Sequence, residues 1–158
     1  KGVTHYNMYL STSKNVYLYQ LVSVGTSSAT GGFNYIPPLN CYLPRKIDEI
    51  PVVSEMPTVT TFPINGPTYG NSQQTGDTVI KLNIVTEAGA AVTINGIPTT
   101  AADGPFDLTG DPNWVTYSRE GVTGNLTITS TKAVTAGIHG GLVPLDMVFI
   151  LQDFLLFL

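Results

Sequence analysis

Three aspartates, Asp103, Asp107 and Asp111, fall four residues apart in the stretch ADGPFDLTGDPN. Hard cations such as Ca²⁺ want several carboxylate and carbonyl oxygens on a flexible loop. This loop offers them, so Ca²⁺ is the only cofactor the sequence suggests. The spacing is not that of an EF-hand, and Asp-Gly and Asp-Pro are also ordinary turn formers. The loop ends in Asn113, and Trp114, Tyr117 and Arg119 follow. An exposed planar ring beside amide or charged groups can stack on a sugar and bond its hydroxyls. Trp114, Tyr117 and Asn113 are therefore the candidate ligand-binding cluster. Tyr6, Tyr9, Tyr17, Tyr19, Tyr35, Tyr42 and Tyr69 supply further rings. A core position for the single tryptophan is the plainer reading.

Catalytic constellations are thin. The two histidines, His5 and His139, have no G-x-S-x-G turn to serve. His139, in GIHGG, reads as an exposed or capping residue at a strand end. Asp48, Glu49, Glu55, Glu87 and Glu120 show no pairing across a cleft of the kind glycoside hydrolysis needs. No enzyme is expected. Asn125-Leu126-Thr127 is an N-glycosylation sequon at a turn, relevant in a eukaryotic secretory setting. The one cysteine, Cys41, excludes an intrachain disulfide and reads as a buried thiol.

Composition narrows the setting. Charged residues make up 11% of the chain, less than half the usual share of about 25%. Thr, Ser, Asn and Gly replace them, which suits an extracellular or cell-surface protein. The net charge is −4, and the few Lys and Arg are scattered. No basic patch forms, so no nucleic-acid partner is expected. The start, KGVTHYNMYL, is not a signal peptide. The chain reads as a mature protein or a piece of a longer surface protein.

The elements that must position these groups are strands. Residues 78–98 carry the clearest signal. Ile80, Leu82 and Ile84 alternate with Lys81 and Asn83, a second β-rich run covers 91–94, and Asn95-Gly96 follows. That pair accepts the positive φ angles of a tight hairpin turn. Earlier, residues 3–10 and 15–24 read as a hairpin around a turn at 11–14. Residues 25–32 read as a loop, and 33–50 as irregular but packed. Four prolines in 51–67 indicate an edge strand or linker. Residues 69–77 and 99–113 read as polar loops. Short strands at 114–119, 126–130 and 133–138 complete the pattern. Strands at this spacing predict one all-β module, an antiparallel β-sandwich of jelly-roll or immunoglobulin-like kind. The apolar tail, 142–158, is slightly short for a membrane span and contains Asp146 and Asp153. As a helix it would start at Pro144. We favour a buried central strand over 148–154.

The run from 78 to 141 resembles a known family. AVTINGIP, an Asp/Gly loop with a phenylalanine, and WVTYSREGVTGNLTITSTKAVTAGIHGG follow one another. They are similar to the IgGFc-binding protein N-terminal domain family and related bacterial surface-adhesin repeats. Gly124, Leu126, Ile128, Ser130, Val134, Ala136 and Gly140 fit that family's frame, with Ala133 where proline is common. NVYLYQLVSVG and NYIPPLNCYLP are similar to its upstream strand and Pro-rich segment. The resemblance covers residues 15–141, and the tail departs from it. It implies secreted, mucus-like or adhesive proteins and carries over no catalytic residue.

The resulting expectation is a non-catalytic extracellular module, a building block of a surface fibre or matrix that acts through sheet edges and loops. Its partners would be copies of itself or neighbouring subunits, with glycans as a further class and no membrane span. Residues 148–158 would complete a neighbour's sheet. A glycan-binding module and a viral or phage fibre or capsid protein are the alternatives.

Overall fold

The computed structural model describes residues 7–22, 32–40, 42–50, 59–66, 70–143 and 147–152. Among them there is no helix, and every strand pairing is antiparallel. The fold is all-β and sandwich-like.

In chain order the strands are β1 Leu18–Val22, β2 Gly32–Ile36, β3 Lys46–Ile50, β4 Val59–Gly66, β5 Gly70–Glu87 and β6 Val92–Ile94. They continue with β7 Ile97–Pro98, β8 Phe106–Asp107, β9 Trp114–Glu120, β10 Leu126–Ser130, β11 Val134–Val143 and β12 Met147–Gln152. One sheet has the order β12-β11-β5-β9-β8, with β4 also on β5. A second has the order β3-β10-β6-β7, and β1-β2 form a separate ribbon.

Alternation builds the core. Ile80, Leu82 and Ile84 of β5 point one way with Val134, Ala136 and Ile138 of β11 and with Val115 and Tyr117 of β9. They meet Ile47 and Ile50 of β3, Val92 and Ile94 of β6, and Leu126 and Ile128 of β10. Leu82, Ile84, Ile128, Ile138 and Val134 are fully buried, each contributing about 1.5–3 kcal/mol of apolar transfer. The opposite face of β9 and β5 supports a smaller cluster. There Trp114 and Val85 pack with Leu108, Ala133, Leu39 and Leu43.

The Asn-Gly turn forms as expected, with φ of 52° at Asn95 and 76° at Gly96. It does not join the two runs of 78–98 to each other. It links β6 to β7, while β5 lies in the other sheet. Both sides of β5 over 81–86 are already taken, by β11 and by β9. The chain therefore turns at 87–91, with Gly89 at φ 73°, and crosses to pair with β10. A second crossing runs through 130–134, and the two corners bond to each other. Thr86 Oγ1 donates to Ala133 O at 2.7 Å and lies 3.1 Å from Ser130 Oγ. Thr131 N donates to Ala91 O, and Lys132 Nζ donates to Ala88 O.

Other expectations change. Residues 7–10 form no strand, and β1 pairs with β2 across the segment read as a loop. The segment read as irregular, 33–50, holds most of β2 and all of β3. The polar stretch 70–77 is not a loop but the first half of β5, paired along β4. Main-chain pairing there needs no apolar face. Among the described residues, 59–66 form a strand that pairs only with β5, as the prolines suggested. In the tail, β12 pairs with β11 of the same chain and, among the described residues, ends its sheet rather than lying at its centre. Residues 153–158 lie outside the described residues. No helix among those described is long and apolar enough to cross a membrane.

Candidate functional site

The three loop aspartates are not brought together. Asp103 is 7% exposed and faces inward from the turn before β8. Arg119 of β9 grips it with two bonds, Nε to Oδ1 at 2.8 Å and Nη2 to Oδ2 at 2.6 Å. Thr100 adds its backbone N–H and its hydroxyl on Oδ2, at 2.7 and 2.9 Å. The Arg119 bonds hold the Asp103 carboxyl well below the usual carboxylate range, against the opposing effect of burial, and the Thr100 bonds add to the lowering. The same pairing pushes the Arg119 guanidinium up. Asp107 sits exposed on β8. Asp111 folds back on its own loop, where Oδ1 accepts the Asn113 N–H and side-chain amide at 3.0 and 2.9 Å. Among the described residues no group of His, Cys, Asp and Glu is placed to hold a metal ion.

The Trp114 cluster is corrected as well. Trp114 is 9% exposed and Tyr117 is 6% exposed. Three positions apart on one strand, they point to opposite faces, Trp114 into the smaller cluster and Tyr117 into the main core. Burial pushes the Tyr117 phenol up, and its hydroxyl reaches Ala90 O at 3.5 Å. Asn113 alone of the three is exposed, so no sugar platform forms there. Asn125 is exposed at the start of β10, where its carbonyl accepts the Asn95 amide at 3.0 Å. His139 does not end a strand. It lies inside β11, paired with Lys81 on one side and Ile150 on the other. His5 and Cys41 lie outside the described residues.

The exposed rings are elsewhere. Tyr19 of β1 stands directly across from Tyr35 of β2. Their ring centroids are 5.8 Å apart in an edge-to-face arrangement. Tyr17, two residues before Tyr19 and so on the same face, reaches the same Tyr35 ring at 6.5 Å. Such cross-strand aromatic pairs stabilise a two-stranded ribbon by roughly 0.5–1.5 kcal/mol each beyond their burial. Tyr17 is 83% exposed and Tyr19 is 57% exposed, so two rings of the trio present faces or edges to solvent. Met8, Leu10, Val16 and Tyr42 are also exposed large side chains of the N-terminal third. The i, i+2 tyrosines are visible in the sequence. Their partner is not, because register with β2 depends on a long intervening segment.

The trio offers polarisable surface and phenolic hydroxyls. No family model, curated protein or solved structure gives a significant match to the chain.

Proposed function

We propose that the chain is a non-catalytic structural or adhesive module of an extracellular surface. The observation that carries this reading is the pair of solvent-facing rings Tyr17 and Tyr19, held against the half-buried Tyr35 on the β1-β2 ribbon. Rings left in water on a soluble domain favour a partner that covers them, and Tyr is enriched where surfaces meet. The low charge of the chain supports the same reading, as does the resemblance of its 78–141 frame to IgGFc-binding and bacterial adhesin modules. The one buried carboxylate among the described residues is spent on Arg119, so it is held as structure rather than poised as an acid or base.

A second reading, glycan binding, moves from Trp114 to the same tyrosines. Planar rings held by their neighbours can stack on sugar faces. One experiment addresses both. Beads carrying the protein are washed over a glycoprotein-coated surface before and after enzymatic deglycosylation, beside a Tyr17→Ala/Tyr19→Ala variant. Retention that falls at least tenfold in the variant on both surfaces supports a protein-directed adhesive role. Retention lost on deglycosylation supports the glycan reading. A variant retained as well as the parent removes the tyrosine trio from either function.

A further inference from the structure

Strand β5 is 18 residues long, and its two halves have different company. Residues 77–86 pair with β11, and 81–86 also pair with β9 on the other side. Beyond Asp77 the situation changes, because β11 ends at Val143, opposite Asp77. Among the described residues, 70–76 pair with β4 alone. Asp77 pairs with both Val143 and Val59, so β4 and β11 lie on opposite sides of β5. The β4-β5 hairpin is therefore an arm about 23 Å long, taking 3.3 Å per residue over residues 70–76.

The main chain fixes which groups of this arm face outward. In an antiparallel strand the N–H and C=O of one residue point to the same side, and successive residues alternate. Ile80 O accepts Gly121 N, and Ala88 N donates to Asn113 O, so even-numbered residues address the β9 and β4 side. Glu87 N donates to Ala133 O, so odd-numbered residues address the β11 side. Carried along the strand, Ser72, Gln74 and Gly76 bond to β4. Asn71, Gln73 and Thr75 turn their donors and acceptors toward the edge that β11 has left. No strand among the described residues pairs with that edge. Pro63, opposite Gln73, turns its main-chain nitrogen to the outer side of β4. Lacking an N–H, it blunts that other edge.

Open edges are normally guarded by charge, proline or a bulge. Residues 59–76 contain no Asp, Glu, Lys, Arg or His. We propose that the open edge of the arm pairs with the same edge of a second copy of this chain, antiparallel and centred on Gln73. This proposal rests on the structural-module reading and specifies its partner. In that register Asn71 faces Thr75 of the second copy and Gln73 faces its own equivalent. The main-chain groups of Asn71, Gln73 and Thr75 point outward, so each of these pairs exchanges both N–H···O bonds. Two-fold symmetry then makes the contact self-complementary, and the absence of charge removes the repulsion that like charges would bring. An isolated two-stranded hairpin is marginal in water, and the second pair of strands turns it into a four-stranded sheet.

Sedimentation velocity between 1 and about 200 μM tests the pairing, with the intact chain and with Gln73→Pro and Gln73→Lys. Gln73→Pro removes an outward N–H and leaves the β4 ladder intact. Gln73→Lys places two ammonium groups face to face. The expected result is a concentration-dependent doubling of mass in the parent. Both variants should weaken it at least tenfold with unchanged thermal midpoints, and high salt should partly rescue the Lys variant. A parent that stays monomeric to the highest concentration overturns the proposal, as does a dimer indifferent to both variants. Tyr17→Ala/Tyr19→Ala is run alongside. If it alone dissolves the dimer, the arm pairing is wrong while the tyrosine surface stands.

Discussion

Replacing Arg119 by Met strands the Asp103 carboxylate inside the protein. The carboxylate keeps the two Thr100 bonds, at 2.7 and 2.9 Å, but loses both guanidinium bonds. Its side chain is 10% exposed, so water cannot replace them. Breaking a buried pair by removing one partner costs about 3–5 kcal/mol. The lower figure applies, because Arg119 itself is 26% exposed and part of its charge was already solvated. With a urea slope of about 2 kcal/mol per molar, a loss of about 3 kcal/mol moves the unfolding midpoint down by roughly 1.5 M. The pH dependence gives a second check. In the parent, the unfolded chain takes up this proton near 3.8, while the folded chain resists it until well below that. The contribution is thus fully present above the unfolded value and is lost as pH falls through and below 4. Without Arg119 the folded carboxyl moves back up, so the parent loses an advantage that the variant never had. The penalty at pH 3 should be smaller than at pH 7 by at least about 1 kcal/mol. Asp103→Asn should cost less than Arg119→Met, since the part-exposed guanidinium can hydrate. A pH 7 penalty under about 1 kcal/mol, or one unchanged at pH 3, refutes the reasoning.

Three further outcomes follow from the geometry. Gly104 holds φ at 140°, and a Cβ there would lie 2.8 Å from Thr116 O and 3.0 Å from the Tyr117 ring, so Gly104→Ala should cost about 2–4 kcal/mol in denaturant titration. Thr86→Val keeps the shape of a fully buried residue but removes the donor to Ala133 O and the contact with Ser130. It should cost about 1–2 kcal/mol and speed amide exchange at the 130–134 corner. Asn95 combines a φ of 52° with side-chain bonds to Thr127 N at 2.7 Å and Asn125 O at 3.0 Å. Asn95→Gly keeps the backbone and should cost about 1–2 kcal/mol through the lost bonds, while Asn95→Ala should cost about 1 kcal/mol more for the strained φ, as read from thermal midpoints.

What could be read from the sequence was local. Period-2 alternation located the second half of β5, and short β-rich runs between turn residues located β9, β10 and the start of β11. The Asn95-Gly96 turn was equally legible, since its conformation is a property of two residues. Which strands that turn joins was not, because it depends on β11 and β9 having already filled both sides of β5. The first half of β5 was missed for a related reason. An arm outside the core needs no apolar face, so polar residues there resemble a loop. At the candidate sites, residue type misled. Asp103 and Trp114 have the chemistry of ligand-binding groups, yet one is paired to Arg119 and the other packs under Leu39 and Leu43. Neither partner is adjacent in sequence. The tyrosine trio was half visible, as Tyr17 and Tyr19, and lacked only the register that brings Tyr35 across.

Strand β5 runs without interruption from the tip of the arm into the middle of the larger sheet. A load applied at the tip and directed along the strand would act parallel to β11 and β9, which flank its inner half. Their main-chain bonds would then be sheared together instead of being peeled open one after another. Pulled from that end, the module would yield late and all at once, with the buried row Ile80, Leu82 and Ile84 moving as a single piston.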